Sequence, residues 1–353
     1  MQVYSNLKAF AFPGQVKAFK CENLAAPVHV RIKPINHCNH DCWYCAYRVS
    51  NLQLGEDMDL KELITEDKMH EIADDLINMN VKAVTFTGGG EPLIYKPLPC
   101  IIEKLVNGGI KVGSLSNGSN LKGRVADSFA KYATWIRVSL DAWDGPSYAK
   151  ARNVSINAFD KLMSNLREFS DRNSNCELGA SFIIDKNNAG HIYEIVSKLK
   201  SVGVGHVKLA GVVVSNDGAE NNKYHKEIKL LVRREIDRSI ELNDSSFKVL
   251  DHYHDLDERF DRSYTKCPTI QFTPVIGGDS CVYTCQDKAY TEGGKLGSIK
   301  DISFKEFWFS TENNVKSFSI NPSIHCKHNC ANHQKNKAIT DFINIDTNHI
   351  VFT

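Results

Sequence analysis

Three cysteines stand close together early in the chain, at Cys38, Cys42 and Cys45, with the spacing C-x3-C-x2-C. Three thiolates on so short a segment can bind three corners of a cubane [4Fe–4S] cluster and leave the fourth iron without a protein ligand. Such an iron is a place where a substrate can coordinate. The alternative is a closed zinc site that takes His37 or His40 as its fourth ligand, because zinc prefers four nitrogen or sulfur ligands.

A second group of cysteines follows much later in the chain. Its members are Cys267, Cys281, Cys285, Cys326 and Cys330. The chain has 353 residues and 11 cysteines, an odd number that falls in two groups, and this pattern favours metal binding over disulfides. The remaining three are isolated and are interpreted as ordinary small residues: Cys21, Cys100 and Cys176.

The elements that position these groups are βα units. Apolar runs and helical patterns alternate from about residue 28 to about residue 245, which indicates a parallel sheet. The predicted strands are Val28–Ile32, Ala83–Phe86, Val112–Leu115, Trp135–Leu140, Leu178–Ile184 and Val207–Val214. Six such units predict an α/β fold, a partial (β/α)6 TIM-like barrel, whose active groups gather at the carboxyl ends of the strands.

The domain prediction places a boundary near residue 245, where short segments rich in Cys, Gly, His and Asn begin. It gives an N-terminal extension over 1–27, a core over 28–245 and a C-terminal domain over 246–353. Within the core, the apolar spacing predicts a helix over Thr65–Met79 that Thr65 caps. A single charged helix is predicted over roughly Lys223–Leu242, with a solvated outer face.

Composition narrows the choice of partners. Lys and Arg number 43 and Asp and Glu number 42, so no overall field attracts nucleic acid or an anionic membrane. The first residues lack a signal-peptide pattern, and no run of 18 apolar residues occurs. We therefore expect a cytoplasmic protein that binds neither nucleic acid nor membranes.

The cysteine triplet, with Tyr44 just before its third member, resembles the signature of the radical S-adenosylmethionine (radical SAM) superfamily. Ala83–Phe86 runs into Thr-Gly-Gly-Gly-Glu-Pro, which resembles the glycine-rich segment that binds the amino group of S-adenosylmethionine in that family. The resemblance implies cofactor contacts from the last four residues of this segment: Gly89, Gly90, Glu91 and Pro92. Glycines let a backbone approach a ligand closely, and a glutamate can accept from an ammonium group.

Further polar residues at strand ends match cofactor-binding positions of the same family. Ser116 and Asn117 follow one strand, and Ser139 and Asp141 end the next. The resemblance implies that these side chains meet the methionine moiety and the ribose hydroxyls. Arg152 matches an arginine that often contacts the cofactor carboxylate, a group that a planar guanidinium fits well. Taken singly, Asn117 and Asp141 have ordinary alternatives as a turn residue and a helix cap.

The second cysteine group resembles the auxiliary-cluster region of SPASM and twitch proteins within the superfamily. The resemblance implies one closed auxiliary [4Fe–4S] cluster held by Cys267, Cys285, Cys326 and Cys330, and it leaves Cys281 out. A closed cluster suits electron transfer. The alternative is a zinc ribbon in which histidines substitute for cysteines: His325, His328 or His333.

The resemblance implies two [4Fe–4S] clusters, S-adenosylmethionine as cofactor and an electron donor of the flavodoxin or ferredoxin type. A 5′-deoxyadenosyl radical would abstract hydrogen from a small polar substrate such as a sugar, aminocyclitol or sugar nucleotide. Dehydrogenation would need a base, for which Arg152, Lys208 and His225 are candidates; epimerisation would need a hydrogen donor, for which Cys281 is the candidate catalytic residue.

Two alternative functions compete with this one. Many SPASM proteins modify ribosomal peptides, but only about 27 residues precede the first predicted strand, which favours a small metabolite over a peptide. A protein of another class, a non-catalytic zinc-binding interaction protein, would use the same cysteines. The acidic, histidine-rich stretch Asp251–Asp261 could bind hydroxyl groups or form solvated surface.

Overall fold

The structure is a computed structural model that describes residues 5–49, 52, 54–253, 262–346, 348 and 352. Most of the stretch Asp251–Asp261 therefore lies outside the described residues. In the described part, ten strands form one sheet. Their bounds are β1 His29–Ile32, β2 Ala83–Phe86, β3 Lys111–Ser116, β4 Trp135–Ser139, β5 Glu177–Ile184, β6 His206–Gly211, β7 Lys248–Asp251, β8 Val275–Ile276, β9 Cys281–Tyr283 and β10 Lys295–Ser298.

Strands β1 to β7 run parallel in sequence order, as expected when each strand is followed by a helical crossover. The mostly parallel α/β barrel class predicted from the sequence is confirmed. All six predicted strands are present, and β7 is a seventh parallel strand that the sequence analysis did not predict. Its sequence, Lys-Val-Leu-Asp, has one buried side chain, Val249, and is too short to give a clear apolar run.

The C-terminal part of the chain extends the same sheet. Strand β8 pairs with β1 in parallel, and β9 and β10 continue from it as antiparallel strands. The sheet order is therefore β10-β9-β8-β1-β2-β3-β4-β5-β6-β7. The domain boundary near residue 245 stays a prediction. Strands from the two sides of this boundary are hydrogen-bonded to each other at both edges of the core, where β6 pairs with β7 and β1 pairs with β8.

The helices cover one face of this sheet. Their bounds are α1 Pro13–Lys20, α2 Glu66–Asn78, α3 Leu98–Asn107, α4 Gly123–Tyr132, α5 Gly145–Arg152, α6 Ala158–Ser170, α7 Ile192–Ser201, α8 Gly218–Lys226, α9 Lys229–Ile240, α10 Pro268–Phe272, α11 Phe304–Trp308, α12 Thr311–Ser319, α13 Pro322–His325 and α14 His333–Ile343. Side chains such as Ile32, Phe86, Ile136 and Leu209 are fully buried between strands and helices. Within the described residues, none of the helices has the length and apolar character needed to cross a membrane.

Two helix predictions had different outcomes. The predicted start of α2 is correct, because the Thr65 hydroxyl accepts from the Lys68 backbone N–H at the amino end of the helix. The single helix predicted over Lys223–Leu242 is wrong: α8 and α9 meet at a turn in which the Ile228 N–H donates to the His225 carbonyl. The break occurs because the buried His225 ring bonds to the Val212 carbonyl and fixes the end of α8 at β6.

Candidate functional site

The first cysteine triplet lies in the loop that follows the carboxyl end of β1. Cys38, Cys42 and Cys45 are partly exposed, and the Cys45 N–H donates to the Cys42 carbonyl at 3.1 Å, so the last two thiols share one turn. Burial raises the pKa of the Cys38 thiol to about 11 and also raises the pKa of Cys42. A bound cation, such as the iron of a cluster, would favour the thiolate form of these cysteines.

The glycine-rich segment after β2 packs directly against this loop. The Gly90 N–H donates to the Ile35 carbonyl and the Glu91 N–H to the His37 carbonyl, both at 3.0 Å. A Cβ atom on Gly90 would lie 1.9 Å from the His37 carbonyl oxygen, so only glycine fits there. The segment therefore lines the side of the cysteine loop, as its predicted role requires.

Glu91 joins the ends of β2 and β3. Its side chain is buried and accepts hydrogen bonds from the Ser116 hydroxyl and the Asn117 N–H at 2.7 Å and from the Leu93 N–H at 2.9 Å. Burial raises the pKa of Glu91, and these three hydrogen bonds oppose that shift. Because both carboxylate oxygens already have protein donors, Glu91 orders the site as well as offering a charge to a ligand.

Asn117 brings an amide to the first cysteine. Its Nδ2 lies 3.9 Å from the Cys38 sulfur and 2.9 Å from the Asn39 side-chain oxygen. An N–H directed at a cysteine sulfur stabilises the thiolate form and tunes a cluster bound to it. The structure thus places Asn117, predicted as a cofactor contact, beside the cysteine loop.

Asp141 is the centre of a buried network at the end of β4. It accepts from the Tyr44 hydroxyl at 2.5 Å, from the Arg152 guanidinium at 2.6 Å and from the Ile183 N–H at 2.6 Å. The Asp141 and Arg152 side chains are 2% and 3% exposed. Burial raises the pKa of the Asp141 carboxyl, and the Arg152 guanidinium and the Tyr44 hydroxyl oppose that shift.

Arg152 also reaches the cysteine loop. Its Nη1 lies 3.8 Å from the Cys42 sulfur, its Nε donates to the Leu140 carbonyl, and its own carbonyl accepts from the Asp41 N–H. Ser139 lies one strand end away, with its hydroxyl 3.2 Å from that of Ser181 on β5. The carboxyl ends of β1 to β4 therefore bring together the predicted residues of this site: Cys38, Cys42, Cys45, Tyr44, Gly89, Gly90, Glu91, Pro92, Ser116, Asn117, Ser139, Asp141 and Arg152.

Four cysteines of the second group line one narrow cavity. They are Cys267, Cys285, Cys326 and Cys330, the four predicted ligands, and Cys281 does not line it. Burial raises the pKa of Cys267 and of Cys330 to about 12. Asn336 supports the cavity, since its Nδ2 lies 3.4 Å from the Cys267 sulfur and its oxygen accepts from the Thr269 N–H and hydroxyl.

The zinc alternatives need three or more ligands around one ion. Among the residues that the structure describes, no group of three His, Cys, Asp or Glu side chains has that arrangement. A [4Fe–4S] cubane does not require three side chains around one ion, because each of its irons takes a separate thiolate. His328 lines the cavity, and burial lowers its pKa to about 3, whereas His333 lies 3.4 Å from the Tyr264 hydroxyl.

A contact between the two cysteine sites was missed by the sequence analysis. Tyr47, two residues after Cys45, donates from its hydroxyl to the Gln286 carbonyl at 3.2 Å, next to Cys285. The fully buried Lys33 ammonium donates to the same hydroxyl at 2.7 Å and lies 4.2 Å from the ring centroid. The sequence did carry a sign of this contact. Lys33 is a charged residue directly after a buried strand, and a lysine is rarely fully buried without a partner.

Cys281 lies on β9 and is 4% exposed. Val275 and Tyr283 are paired across β8 and β9 and cluster with Cys281, and Tyr47 and Met58 of the cysteine loop pack over this cluster. Its sulfur contacts the Asp279 carbonyl at 3.8 Å. This surrounding favours a packing role, and the hydrogen-donor role stays a prediction.

A partial barrel with a three-cysteine loop at its strand ends is the architecture of radical SAM proteins, and sequence comparison agrees. The Radical SAM superfamily model matches residues 32–199, so this part of the chain carries a radical SAM domain. That domain implies a [4Fe–4S] cluster and S-adenosylmethionine.

Curated relatives include two proteins described as probable GTP 3′,8-cyclases. The one from Metallosphaera sedula is 22% identical over 59% of this chain and 65% of its own length. The one from Sulfolobus acidocaldarius is 26% identical over 51% of this chain and 54% of its own length. The chain thus matches less than two thirds of the length of either relative.

Solved structures share the fold at low sequence identity. Streptococcus suis SuiB bound to its precursor peptide SuiA superposes with a TM-score of 0.60 at 16% identity, over 90% of this chain and 73% of SuiB. Native anSMEcpe with bound AdoMet superposes with a TM-score of 0.57 at 16% identity, over 82% of this chain and 83% of that one. At these identities the likeness supports the fold alone.

Proposed function

We propose that this enzyme cleaves S-adenosylmethionine at a [4Fe–4S] cluster bound by Cys38, Cys42 and Cys45, and uses the resulting 5′-deoxyadenosyl radical to abstract a hydrogen atom from its substrate. The observation that carries the proposal is the convergence of Glu91, Asn117 and Arg152 on the three-cysteine loop. The bound cofactor would supply the radical chemistry.

The chain's own residues would hold and orient this cofactor. Arg152 offers a guanidinium beside Cys42, and Ser116, Asn117 and Ser139 offer polar groups at neighbouring strand ends. Asp141, at the end of β4, bonds to both Tyr44 of the cysteine loop and Arg152. These bonds hold the cysteine loop at a fixed distance from the end of β4. Holding the cofactor in position would be the main contribution of the protein, because the cofactor itself supplies the radical chemistry.

We further propose one auxiliary [4Fe–4S] cluster at Cys267, Cys285, Cys326 and Cys330. It is supported by the shared cavity and by the Asn336 amide directed at Cys267. A cluster with four thiolates has no open iron, so its role would be electron transfer with the substrate or with a flavodoxin- or ferredoxin-type donor. Electron removal would give dehydrogenation; hydrogen return from Cys281 would give epimerisation.

Two substrate classes remain in competition. A small polar molecule of the sugar, aminocyclitol or sugar-nucleotide class fits a barrel interior lined by Ser139, Ser181 and Lys208, which share one face of the sheet. Peptide modification is the second candidate, favoured by the fold shared with SuiB, which is bound to a precursor peptide. Of the candidate bases, His225 already bonds to Val212 and Tyr253, whereas Lys208 lies on the interior face.

The test is formation of 5′-deoxyadenosine by anaerobically reconstituted protein with dithionite and S-adenosylmethionine. Wild type is expected to form it, and Cys42→Ser is expected to fall to the level of a protein-free reaction because the cluster loses a ligand. Cys21→Ser is the matched control, since Cys21 is exposed and isolated, and it should retain wild-type activity. Normal turnover by Cys42→Ser would refute the cluster assignment.

A further inference from the structure

Lys33 is a fully buried lysine at a point where three segments of the molecule meet. Its ammonium donates to the Tyr47 hydroxyl at 2.7 Å and to the Gly88 carbonyl. Tyr47 lies two residues after Cys45 in the loop of the first site, and Gly88 belongs to the glycine-rich segment that follows β2. One side chain therefore joins the cysteine loop to the segment that is proposed to bind the cofactor.

The third segment belongs to the second cysteine site. The Tyr47 hydroxyl donates to the Gln286 carbonyl at 3.2 Å, and the Gln286 side-chain amide donates back to that hydroxyl. Gln286 directly follows Cys285, one of the four cysteines around the second cavity. Two consecutive hydrogen bonds therefore lead from the Lys33 ammonium to the residue next to a proposed cluster ligand.

Backbone and ring contacts hold Lys33 in this position. Lys33 follows β1 directly, and its N–H donates to the Ile276 carbonyl of β8 at 2.8 Å. Its ammonium lies 4.2 Å from the centroid of the Tyr47 ring and 5.9 Å from that of the Tyr290 ring. Aromatic faces attract cations at such distances. The ammonium is therefore held by one ring from each of the two cysteine-bearing parts of the chain.

The two groups that accept the hydrogen bonds of this ammonium are neutral. A hydroxyl and a backbone carbonyl carry no net charge, and a buried cation is costly unless negative charge balances it. Burial and then the like charge of Arg31 lower the pKa of Lys33 well below its ordinary value. The fields of Cys45, Asp287 and Cys285 oppose that shift. Two of these three opposing groups are cysteines of the two proposed cluster sites.

Clusters bound at the two sites would supply negative charge beside Lys33. Each cysteine ligand is a thiolate, so a cluster held by three or four of them is negative overall, and reduction adds one more negative charge. A nearby cation stabilises the reduced form more than the oxidised form and thereby raises the reduction potential. Because Lys33 is linked to the loops of both sites, its charge would act on both clusters.

We propose that Lys33 is the shared counter-charge of the two clusters and that its ammonium raises the reduction potential of both. This inference rests on the proposed function, because that function assigns a cluster to each cysteine site. At the first site, Lys33 would favour the one-electron reduction of the cluster by the flavodoxin- or ferredoxin-type donor, which is oxidised. At the second site, it would favour the one-electron reduction of the cluster by the substrate radical, which is oxidised in dehydrogenation.

A rival explanation is that Lys33 only supports the packing of the three segments through its hydrogen bonds. Three substitutions separate this explanation from an effect of charge. Lys33→Gln keeps N–H donors but removes the charge, and Lys33→Met removes both the charge and the hydrogen bonds while keeping an unbranched side chain. Tyr47→Phe keeps the charge and the ring but removes the hydroxyl that links Lys33 to Gln286.

The experiment is an anaerobic potentiometric titration of the reconstituted holoenzyme, followed by electron paramagnetic resonance. Lys33→Gln and Lys33→Met should each lower both reduction potentials, with every reduction equilibrium weakened about tenfold, which is about 59 mV for one electron. Tyr47→Phe should keep both potentials close to those of wild type. Lys104→Met is the matched control, because Lys104 of α3 also donates to a backbone carbonyl but is paired with Asp74. It should titrate as wild type does.

Each potential is assigned to its site in two backgrounds, Cys285→Ser for the first cluster and Cys42→Ser for the second. Unchanged potentials in both Lys33 variants would overturn the inference, and so would a shift confined to one cluster. A shift in Tyr47→Phe as large as that in Lys33→Gln, or loss of iron from both Lys33 variants, would overturn it in favour of the packing rival. The iron content of wild type and its formation of 5′-deoxyadenosine are measured in parallel, so failure of the proposed function is distinguishable from failure of this inference.

Discussion

The two cysteine sites of this protein are built differently. The first places three thiols on one loop and surrounds them with groups from neighbouring strand ends and from α5, including Asn117 and Arg152, whose nitrogens approach cysteine sulfurs. The second gathers four thiols around one cavity from four separate positions in the C-terminal part. Three ligands leave a cluster iron open to a cofactor and four leave none, so under the proposed assignment the first site would carry out catalysis and the second would transfer electrons.

The largest expected effect comes from removing one ligand of the closed site. Cys285→Ser should lose about half of the bound iron, because one of two four-iron clusters is lost. It should still cleave S-adenosylmethionine, since the first site keeps its three thiolates, but it should not complete turnover of substrate. Iron analysis and product assays check this. Loss of all iron would show that the two sites do not form independently.

The next effect concerns the network that holds the first site. Asp141→Asn removes the charge that partners the buried Arg152, so we expect a loss of about 3–5 kcal/mol in the free energy of unfolding. Asp127→Asn, at an exposed ion pair with Arg172, should change it by about 1 kcal/mol or less. Denaturant titration of both variants measures this. Equal stability of the two variants would contradict the role assigned to Asp141.

The smallest effect is expected at Cys281. Because its sulfur is packed beneath Tyr47 and Met58, Cys281→Ser should cost about 1–3 kcal/mol of stability and leave the reaction product unchanged. Cys176→Ser, at a buried cysteine outside both sites, is the control and should cost a similar amount. If Cys281→Ser forms 5′-deoxyadenosine but loses an epimerised product, the thiol is the hydrogen donor.

Local sequence predicted the fold where each strand carries its own apolar run. Ala83–Phe86 was predicted with its correct bounds, and the Thr65 cap fixed the start of α2. Short β7 and the break between α8 and α9 were missed, because the first depends on pairing with β6 and the second on the contact of His225 with Val212. Both depend on contacts between separate elements, which apolar periodicity does not record.

For the candidate site, the residue types were predictable but several of their partners were not. Spacing and strand ends indicated Glu91, Asn117 and Asp141, yet nothing local indicated that Glu91 bonds to Ser116 or that Asp141 joins Tyr44 to Arg152. The contact of Tyr47 with Gln286 spans 239 positions of the chain.

The most direct test of the assignment is electron paramagnetic resonance of the reduced protein, with and without S-adenosylmethionine. In Cys285→Ser, which keeps the first site, adding S-adenosylmethionine should shift the cluster signal because the sulfonium cofactor binds the open iron. In Cys42→Ser, which keeps the second site, the signal should not change. An unchanged signal in Cys285→Ser, or zinc in place of iron at the first loop, would contradict the account.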